Sequence, residues 1–463
     1  MTKYDIIIIG SGPGGYVAAI RSAQLGKNVA IIDKDKLGGI CLNWGCIPTK
    51  ALLKNAEILN YVKNSKKYGI NILEYEVDFQ KTIKRSRDVS QRLSKGIEFL
   101  MKKNNITHIE GRGVLKTPNE IEVTNGKNKI SIQTDKVIIA TGARPRVLFE
   151  MEPDRKQVIT SKEAMILKDP PKTMVIIGAG AIGTEFAYFF NEFGTDVHLI
   201  EMMPNILPVE DEDISKEVEK SFKNSGIKIY THTKVTKIEK QNNNVKVHTE
   251  TDDTNHIIDA ELVLNAVGVT GNIEDIGLEE IGIDTDKGAI IINKYNQTSV
   301  SNIYAIGDVS GPPWLAHVAS AQGHVAAEHA SGLLTTQPVD YLNIPGCTYC
   351  QPQVASLGLT EKAAKEAGYD IKVGRFDFRS SGKALATGDP TGFVKIIFDT
   401  KYGELLGCHI VGSEATELIA ELGVAKTLET TWQEIAMTVH AHPTLSEAVM
   451  EAALDAYGNS VNQ

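Results

Sequence analysis

Residues 4–9 read Tyr-Asp-Ile-Ile-Ile-Ile, an apolar run with no polar alternation, which predicts a parallel strand buried on both faces. The run passes into Gly10-Ser11-Gly12-Pro13-Gly14-Gly15. An alanine-rich stretch over 16–25 then predicts a helix ended by Gly26, and 28–32 predicts a second strand finishing at Asp33. The whole pattern recurs. A strand is predicted over 174–177, followed by Gly178-Ala179-Gly180-Ala181-Ile182-Gly183, a helix over 184–193 ended by Gly194, and a strand over 196–200 finishing at Glu201. In both copies the acid lies 23 residues beyond the first glycine. Further strands are predicted over 136–142, entering a glycine turn, and over 302–308, ending at Asp308; Pro170-Pro171 marks the entrance to the second copy. From about residue 343 the texture changes: strand-like runs at 392–398 and 405–411 precede helical stretches at 414–429 and 445–457, an α+β pattern without a nucleotide loop. The fold class predicted is α/β, with two Rossmann-like dinucleotide-binding domains followed by an α+β domain.

Duplicated Gly-x-Gly-x-x-Gly turns carry a specific chemistry. The first glycine permits the tight turn, the second lets the backbone approach a pyrophosphate, and the third lets the helix pack on the strand. The phosphate then lies at the positive end of the helix. Asp33 and Glu201 can each accept from ribose hydroxyls. Glu201 is followed by Met202-Met203 with no arginine, which favours NAD over NADP because a 2′-phosphate would meet a carboxylate.

Composition narrows the remaining choices. The chain has 463 residues, 42% of them apolar, and a net charge of −9, the wrong sign for a nucleic-acid surface. No apolar run approaches the roughly 18 residues of a membrane span. Near the N-terminus only residues 6–9 are continuously apolar, so no secretory leader is expected and a cytoplasmic location is. The basic segment 81–103 predicts a helix with a solvated face, or alternatively a surface that docks an acidic partner.

Five cysteines do not make a disulfide scaffold, but Cys41 and Cys46 stand close together. In an ideal helix, positions i and i+5 lie roughly 8.5 Å apart, whereas a disulfide tolerates only about 4.4–6.8 Å. A bond between them therefore needs a broken helix, for which Gly45 and Pro48 are suited, and such a bond should be readily reduced and reformed. Zinc competes for this pair if Cys347 and Cys350 supply two more ligands, although no metal is expected; Cys347, Cys350 and Cys408 otherwise read as packing thiols. Near the end stands His440-Ala-His442-Pro-Thr444-Leu-Ser-Glu447. Thr444 and Glu447 have the spacing of a helix capping box, and His442 with Glu447 has the make-up of a carboxylate-held proton acceptor; spacing alone leaves both open.

With these motifs placed, the chain resembles the flavin-dependent pyridine nucleotide-disulfide oxidoreductases of class I, essentially end to end, and within them the enzymes acting on the dihydrolipoyl group. The likeness rests on both glycine loops, Gly39-Ile-Cys-Leu-Asn-Trp-Gly-Cys-Ile-Pro-Thr-Lys50, Ala140-Thr-Gly142, Ala305-Ile-Gly-Asp308 and the His440–Glu447 stretch. It implies an FAD-binding domain over 1–148, an NAD-binding domain over 149–272, a central segment over 273–343 returning to the FAD domain, and a dimerisation domain over 344–463. FAD is implied on Gly10, Gly12, Gly15, Asp33, Lys50, Gly113, Thr141, Gly142, Asp308 and Ala316. NAD is implied on Gly178, Gly180, Gly183, Glu201, Val235 and Gly268, with Glu185 near the nicotinamide.

The resemblance further implies that a redox-active Cys41–Cys46 disulfide oxidises protein-bound dihydrolipoamide and, through FAD, reduces NAD+. Cys41 would be the interchange thiol and Cys46 the thiol beside the flavin, with Lys50 polarising the ring. His442, oriented by Glu447, would accept the substrate proton across a homodimer. The partner implied is a lipoyl-bearing acyltransferase of a 2-oxoacid dehydrogenase complex or the lipoyl protein of glycine cleavage, with neither nucleic acid nor membrane. Four features depart from the family pattern: Asp33 where glutamate is usual, Val269-Thr-Gly-Asn272 where an arginine and a proline are usual, Trp44 for valine, and Cys350 for threonine, to which no role is assigned. Alternatives within the family are the glutathione- and mercuric-reductase types, and outside it a non-catalytic protein responding to FAD or NAD. No cysteine follows Cys408, and the second nucleotide strand is not followed by basic residues; both count against the two reductase types.

Overall fold

The isoleucine run becomes strand β1 (Lys3–Ile9), in which Ile6, Ile7 and Ile8 are at most 1% exposed. Complete burial of such a side chain contributes roughly 1.5–3 kcal/mol relative to exposure, so three in succession commit this strand to the middle of a sheet. In the computed structural model, which describes residues 3–148, 151–252 and 254–462, β1 pairs in parallel with β2 (Val29–Asp33) and with the far part of Asn128–Ile139. The sheet runs Thr107–Glu110, β2, β1, Asn128–Ile139, Glu120–Asn125, Arg112–Thr117, with Ile303–Ala305 parallel to the end of Asn128–Ile139.

Helix α1 (Pro13–Gln24) crosses from β1 to β2 and begins three residues before the expected start at 16. Proline at its first turn lacks an N–H that a helix start leaves unused anyway, and its φ is preset, so Gly14 and Gly15 are drawn inside the helix. Two predicted strands are shorter than their apolar runs. The one expected over 136–142 stops at Ile139, before Gly142 turns the chain at φ +69°. That expected over 302–308 ends at Ala305, and Asp308 lies instead in a tight turn, Gly307–Ser310, opened by Gly307 at φ +70°. An apolar run records burial, and positive φ at glycine decides where the extended chain stops.

Residues group into two compact units: Met1–Leu52, Asp78–Arg146 and Gly268–Val339 in one, and Leu53–Val77, Val147–Val267 and Asp340–Gln463 in the other. The domain boundary expected between 148 and 149 involves residue 149, which lies outside the described residues. Besides the sheet, the first unit holds α2 (Gly39–Trp44), the start of α3 (Cys46–Lys63), and α4 (Phe79–Lys103).

The second unit repeats the motif with Thr173–Ile177, helix Ala181–Glu192 and Asp196–Ile200, in a parallel sheet ordered Lys228–Tyr230, Asp196–Ile200, Thr173–Ile177, Leu262–Asn265, Val158–Ile159. Its C-terminal part is an antiparallel sheet ordered Gly346–Thr348, Gln353–Gly358, Leu405–Gly412, Gly392–Asp399, Ile371–Asp377. Helices Ala415–Thr427 and Glu447–Asp455 cover it over a core that includes Val394, Ile396, Phe398, Cys408 and Ile410. Within this unit Lys395, 4% exposed, is held by Asp211, Asp213 and Glu361 at 2.9, 2.7 and 2.8 Å. A buried ammonium needs such partners, and losing the lysine would leave three carboxylates facing one another. Among the described residues no helix is long and apolar enough to cross a membrane.

Candidate active site

The two glycine loops are built alike to within tenths of an ångström. A Cβ on Gly15 would stand 2.0 Å from the Gly10 carbonyl oxygen, and one on Gly183 would stand 1.9 Å from that of Gly178. Each third glycine thus lets its helix close on the turn before it. At the middle positions, Gly12 and Gly180, an added Cβ would meet nothing within 4 Å. Both are helix N-caps with no side-chain hydrogen bond, so open space faces main-chain N–H groups that a helix start leaves without partners. That is the cradle a pyrophosphate fits.

The acids are equally matched. Asp33 accepts from Ser11 N at 2.7 Å and Asp35 N at 2.9 Å; Glu201 accepts from Ala179 N at 2.8 Å and Met203 N at 2.9 Å. Asp33 also accepts from Ser11 Oγ at 2.5 Å. Each carboxylate therefore braces the second residue of its loop, and four lone-pair sites leave room for a ribose hydroxyl as well. The aspartate at 33 is shorter than the usual glutamate and still spans to the loop. Replacing Gly15 by alanine is expected to open the first turn at a cost of about 1–3 kcal/mol. The purified variant should carry well under one flavin per chain by absorbance; full occupancy would count against this cradle.

The remaining residues implied for FAD sit as follows. Gly113 packs among Ile9, Ile32 and Ile121, where an added Cβ would touch their methyls at 3.4–3.5 Å. Thr141 Oγ donates to the Asn272 carbonyl at 2.9 Å, and Gly142 has open space beside it. Burial pushes the Asp308 carboxyl up, and it borders a cavity of about 470 Å³ with Arg146, Thr270 and Trp314. Ala316 opens helix Ala316–Ala330, which packs on α1 through Gly14 and Gly323. The open cradle, the braced acid and the half-buried Asp308 fit a dinucleotide with a polyol arm.

On the NAD side, Val235 lies buried in Lys234–Lys240, and Gly268 turns the chain at φ +100°. Glu185, 5% exposed, accepts from Tyr349 N at 3.0 Å. The divergent stretch 269–272 is well held: Val269–Gly271 pairs with Ala143–Pro145, Arg144 donates to the Gly271 carbonyl at 2.9 Å, and the Asn272 amide donates to the Thr141 carbonyl at 2.9 Å. Arg144 also pairs with Glu274 through both guanidinium arms, at 2.8 and 2.6 Å.

The cysteine stretch folds as the spacing required. α2 ends at Trp44, Gly45 breaks the chain at φ −146° and ψ −114°, and α3 starts at Cys46. The break brings the two side chains together, so that Cys41 hydrogen-bonds Cys46. That bond and burial push the Cys41 thiol up, while the Lys50 ammonium pulls it down. Sequence reasoning missed three neighbours. Tyr16, on the first turn of α1, lies within the field of both sulfurs. Arg87 of α4 stacks on Trp44 at 4.2 Å and donates to the Asn43 carbonyl, and Arg85 donates to the Ala51 carbonyl at 3.0 Å. Thus α4 is not solvated along its whole basic run: two of its arginines reach the cysteine stretch, Arg87 half-buried and Arg85 still exposed. Sequence separation hid them, since a basic side chain alone does not tell which way it faces.

At the other motif, His442 Nδ1 lies 2.9 Å from Glu447 Oε1, and Thr444 N donates to Glu447 Oε2 at 2.8 Å. The Thr444 and His442 contacts hold the Glu447 carboxyl below the usual carboxylate range. The two readings of the spacing are therefore not exclusive, because one carboxylate serves both. The capping box itself is only half made. The helix starts at Glu447, and Thr444 Oγ donates to the Ala441 carbonyl instead of receiving a helix N–H. His442 is 79% exposed, and with Nδ1–H donating to Glu447 its Nε2 is a free acceptor. By contrast, His440 is 6% exposed, with Nε2 at 2.6 Å from Glu421 and Nδ1 at 2.9 Å from the Thr438 carbonyl, so it anchors the loop.

Comparison with known proteins places the chain as a whole. The family model described as pyridine nucleotide-disulphide oxidoreductase matches residues 4–323, and that of its dimerisation domain matches 344–453. The chain is 50% identical to a dihydrolipoyl dehydrogenase of Rhizobium etli, with 99% of each covered, and 45% identical to one of Mycobacterium tuberculosis, with 100% of each covered. Among solved structures, it is similar to LpdA of Mycobacterium tuberculosis at a TM-score of 0.90 and 26% identity, covering 98% of this chain and 99% of that one. It is also similar to RclA, an HOCl-induced flavoprotein disulfide reductase of Escherichia coli, at a TM-score of 0.88 and 27% identity, covering 98% and 99%.

Proposed function

The chain belongs to the pyridine nucleotide-disulphide oxidoreductase family, and from that premise we propose that it oxidises the dihydrolipoyl group to lipoyl and reduces NAD+ to NADH. It is a flavoprotein oxidoreductase using FAD and NAD, and it carries a dimerisation domain. The observation that carries the residue assignment is the thiol pair hydrogen-bonded across the Gly45 break, with a lysine ammonium acting on it. The finer reading adds three points. His442 acts on the cysteine pair of a second copy, the dihydrolipoyl group arrives on an acyltransferase or on the glycine-cleavage lipoyl protein, and the work is done in a reducing cytoplasm.

His442 Nε2 takes the proton from one dihydrolipoyl thiol, since the thiolate is the nucleophile. Glu447 fixes the ring so that Nε2 faces outward, and it stabilises the imidazolium that forms. The thiolate attacks Cys41 Sγ, the Cys41–Cys46 bond breaks, and Cys46 leaves as a thiolate beside Lys50. The second substrate thiol then displaces Cys41, its proton passing to the departing Cys41 sulfur. This closes the lipoyl disulfide and leaves both cysteines reduced. FAD, when bound, supplies the two-electron relay from the reduced pair to NAD+. Glu201 and Gly178–Gly183 hold the nucleotide, and the first loop with Asp33 holds FAD.

A steady-state assay with free dihydrolipoamide and NAD+, run beside glutathione disulfide with NADPH, tests the reading. Turnover is expected in the first pair only, and the reverse preference would overturn it. Coenzyme choice has its own test. Glu201→Arg replaces a ribose acceptor by a phosphate partner worth about 1.5–3 kcal/mol, so the NADP+:NAD+ ratio of kcat/KM should rise roughly 10–100-fold. An unchanged ratio would remove Glu201 from coenzyme selection.

A further inference from the structure

We propose that Arg87 is a positioning residue for the disulfide exchange, holding the helix break that sets Cys41 and Cys46 side by side; this rests on the assignment of that pair as the redox centre. The two residues immediately before the break, Asn43 and Trp44, are the ones Arg87 grips. Its guanidinium donates to the Asn43 carbonyl and lies 4.2 Å from the Trp44 ring centroid. A carbonyl in the last turn of a helix has no partner within it, and a basic side chain satisfies it while complementing the helix end. The Asn43 side chain, 6% exposed, works from the opposite end of α2, donating to the Leu37 and Gly39 carbonyls at 3.1 and 3.0 Å.

From α4, Ser94 Oγ also donates to Leu37 at 2.7 Å, and Arg85 donates to Ala51 beyond the second cysteine. Helix α4 thus fastens the cysteine stretch at both ends and in the middle, and only the middle contact carries charge against the break. Arg87 Nη1 is buried without a hydrogen-bond partner. A fold does not keep such an orphaned donor for stability, since lysine or methionine there would avoid it. The planar guanidinium does what neither replacement can: it stacks on an indole and donates in the same plane, so carbonyl and ring are fixed together. The break so held keeps the Cys41–Cys46 hydrogen bond, which favours the Cys46 thiolate on which exchange depends.

Arg87→Met and Arg87→Lys test this in the FAD-loaded enzyme. In Arg87→Met, kcat with dihydrolipoamide should fall roughly 10–100-fold with KM little changed, the cost of misplacing reacting atoms by about an ångström. The pH midpoint for iodoacetamide trapping of the reduced thiols should rise by roughly half to one unit as the hydrogen bond between them loosens. Turnover from NADH to an artificial acceptor, which bypasses the thiols, should persist. Arg87→Lys should restore both the trapping midpoint and kcat only in part, since it can still donate to the Asn43 carbonyl but cannot stack on Trp44 in the same plane. A wild-type midpoint and kcat in Arg87→Met would overturn the proposal. So would equal losses in both turnovers with lowered flavin content, which mark a merely structural role. Should Arg87→Met fail to fold, the same readouts on Arg87→Lys decide: an intact kcat sinks the stacking argument. If instead wild-type enzyme alkylated at both cysteines keeps full dihydrolipoamide turnover, the redox assignment itself fails, independently of Arg87.

Discussion

Exchanging Cys46 for serine is expected to abolish turnover of dihydrolipoamide, by more than about 10⁴-fold, the scale on which removal of a covalent participant acts. Serine matches the thiol in size and keeps its hydrogen-bonding capacity, so α3 should still start at the Gly45 break. It cannot form or break a sulfur–sulfur bond, so Cys41 would have no partner from which to be displaced. In wild type, two-electron reduction should give the long-wavelength absorption band of a thiolate beside a flavin, and in Cys46→Ser the band should be missing. A band that survives the substitution would assign the flavin-side sulfur to some other residue.

His442→Gln should lower the dihydrolipoamide reaction about 10²–10⁴-fold, the usual contribution of a positioned general base. Glutamine can still reach Glu447, but its amide is no proton acceptor near neutral pH. The oxidation of NADH by artificial acceptors involves no substrate thiol and should be nearly unchanged. Equal losses in the two assays would remove the base from His442. The high exposure of this histidine fits the role, because a ring that must meet a thiol carried by another molecule has to stand clear of its own chain.

How far the sequence led can be judged residue by residue. The two nucleotide loops were legible because their chemistry is local: three glycines, a helix start and an acid at fixed spacing leave little freedom in how they fold. That the acids brace Ser11 and Ala179 was not legible, since a carboxylate's second task leaves no mark on composition. The cysteine pair could be recognised, and geometry even demanded the break at Gly45. Its support by Arg87 could not be read, because 44 residues separate Asn43 from its donor and α4 otherwise looks like any charged surface helix. At the tail, spacing alone could not separate cap from base, and the structure shows Glu447 contacting both Thr444 N and His442. The strands expected to run to Gly142 and Asp308 stop earlier, at Ile139 and Ala305, because hydrophobicity marks what is buried and says nothing of where backbone curvature begins.

The brace between Glu201 and the Ala179 and Met203 N–H groups bears on how coenzyme choice can change over time. If Glu201 selects NAD over NADP, as proposed, the selecting residue also braces the loop that holds the nucleotide. A substitution that introduces a cation orphans two main-chain donors at the same stroke, so the shift in preference comes with a slower, looser enzyme. A lineage or a designer moving between coenzymes therefore meets a valley that a single step cannot cross well, and the compensating changes belong at 179 and 203, where the donors are left behind. Epistasis of this kind would make coenzyme preference a conservative trait even under the control of one side chain.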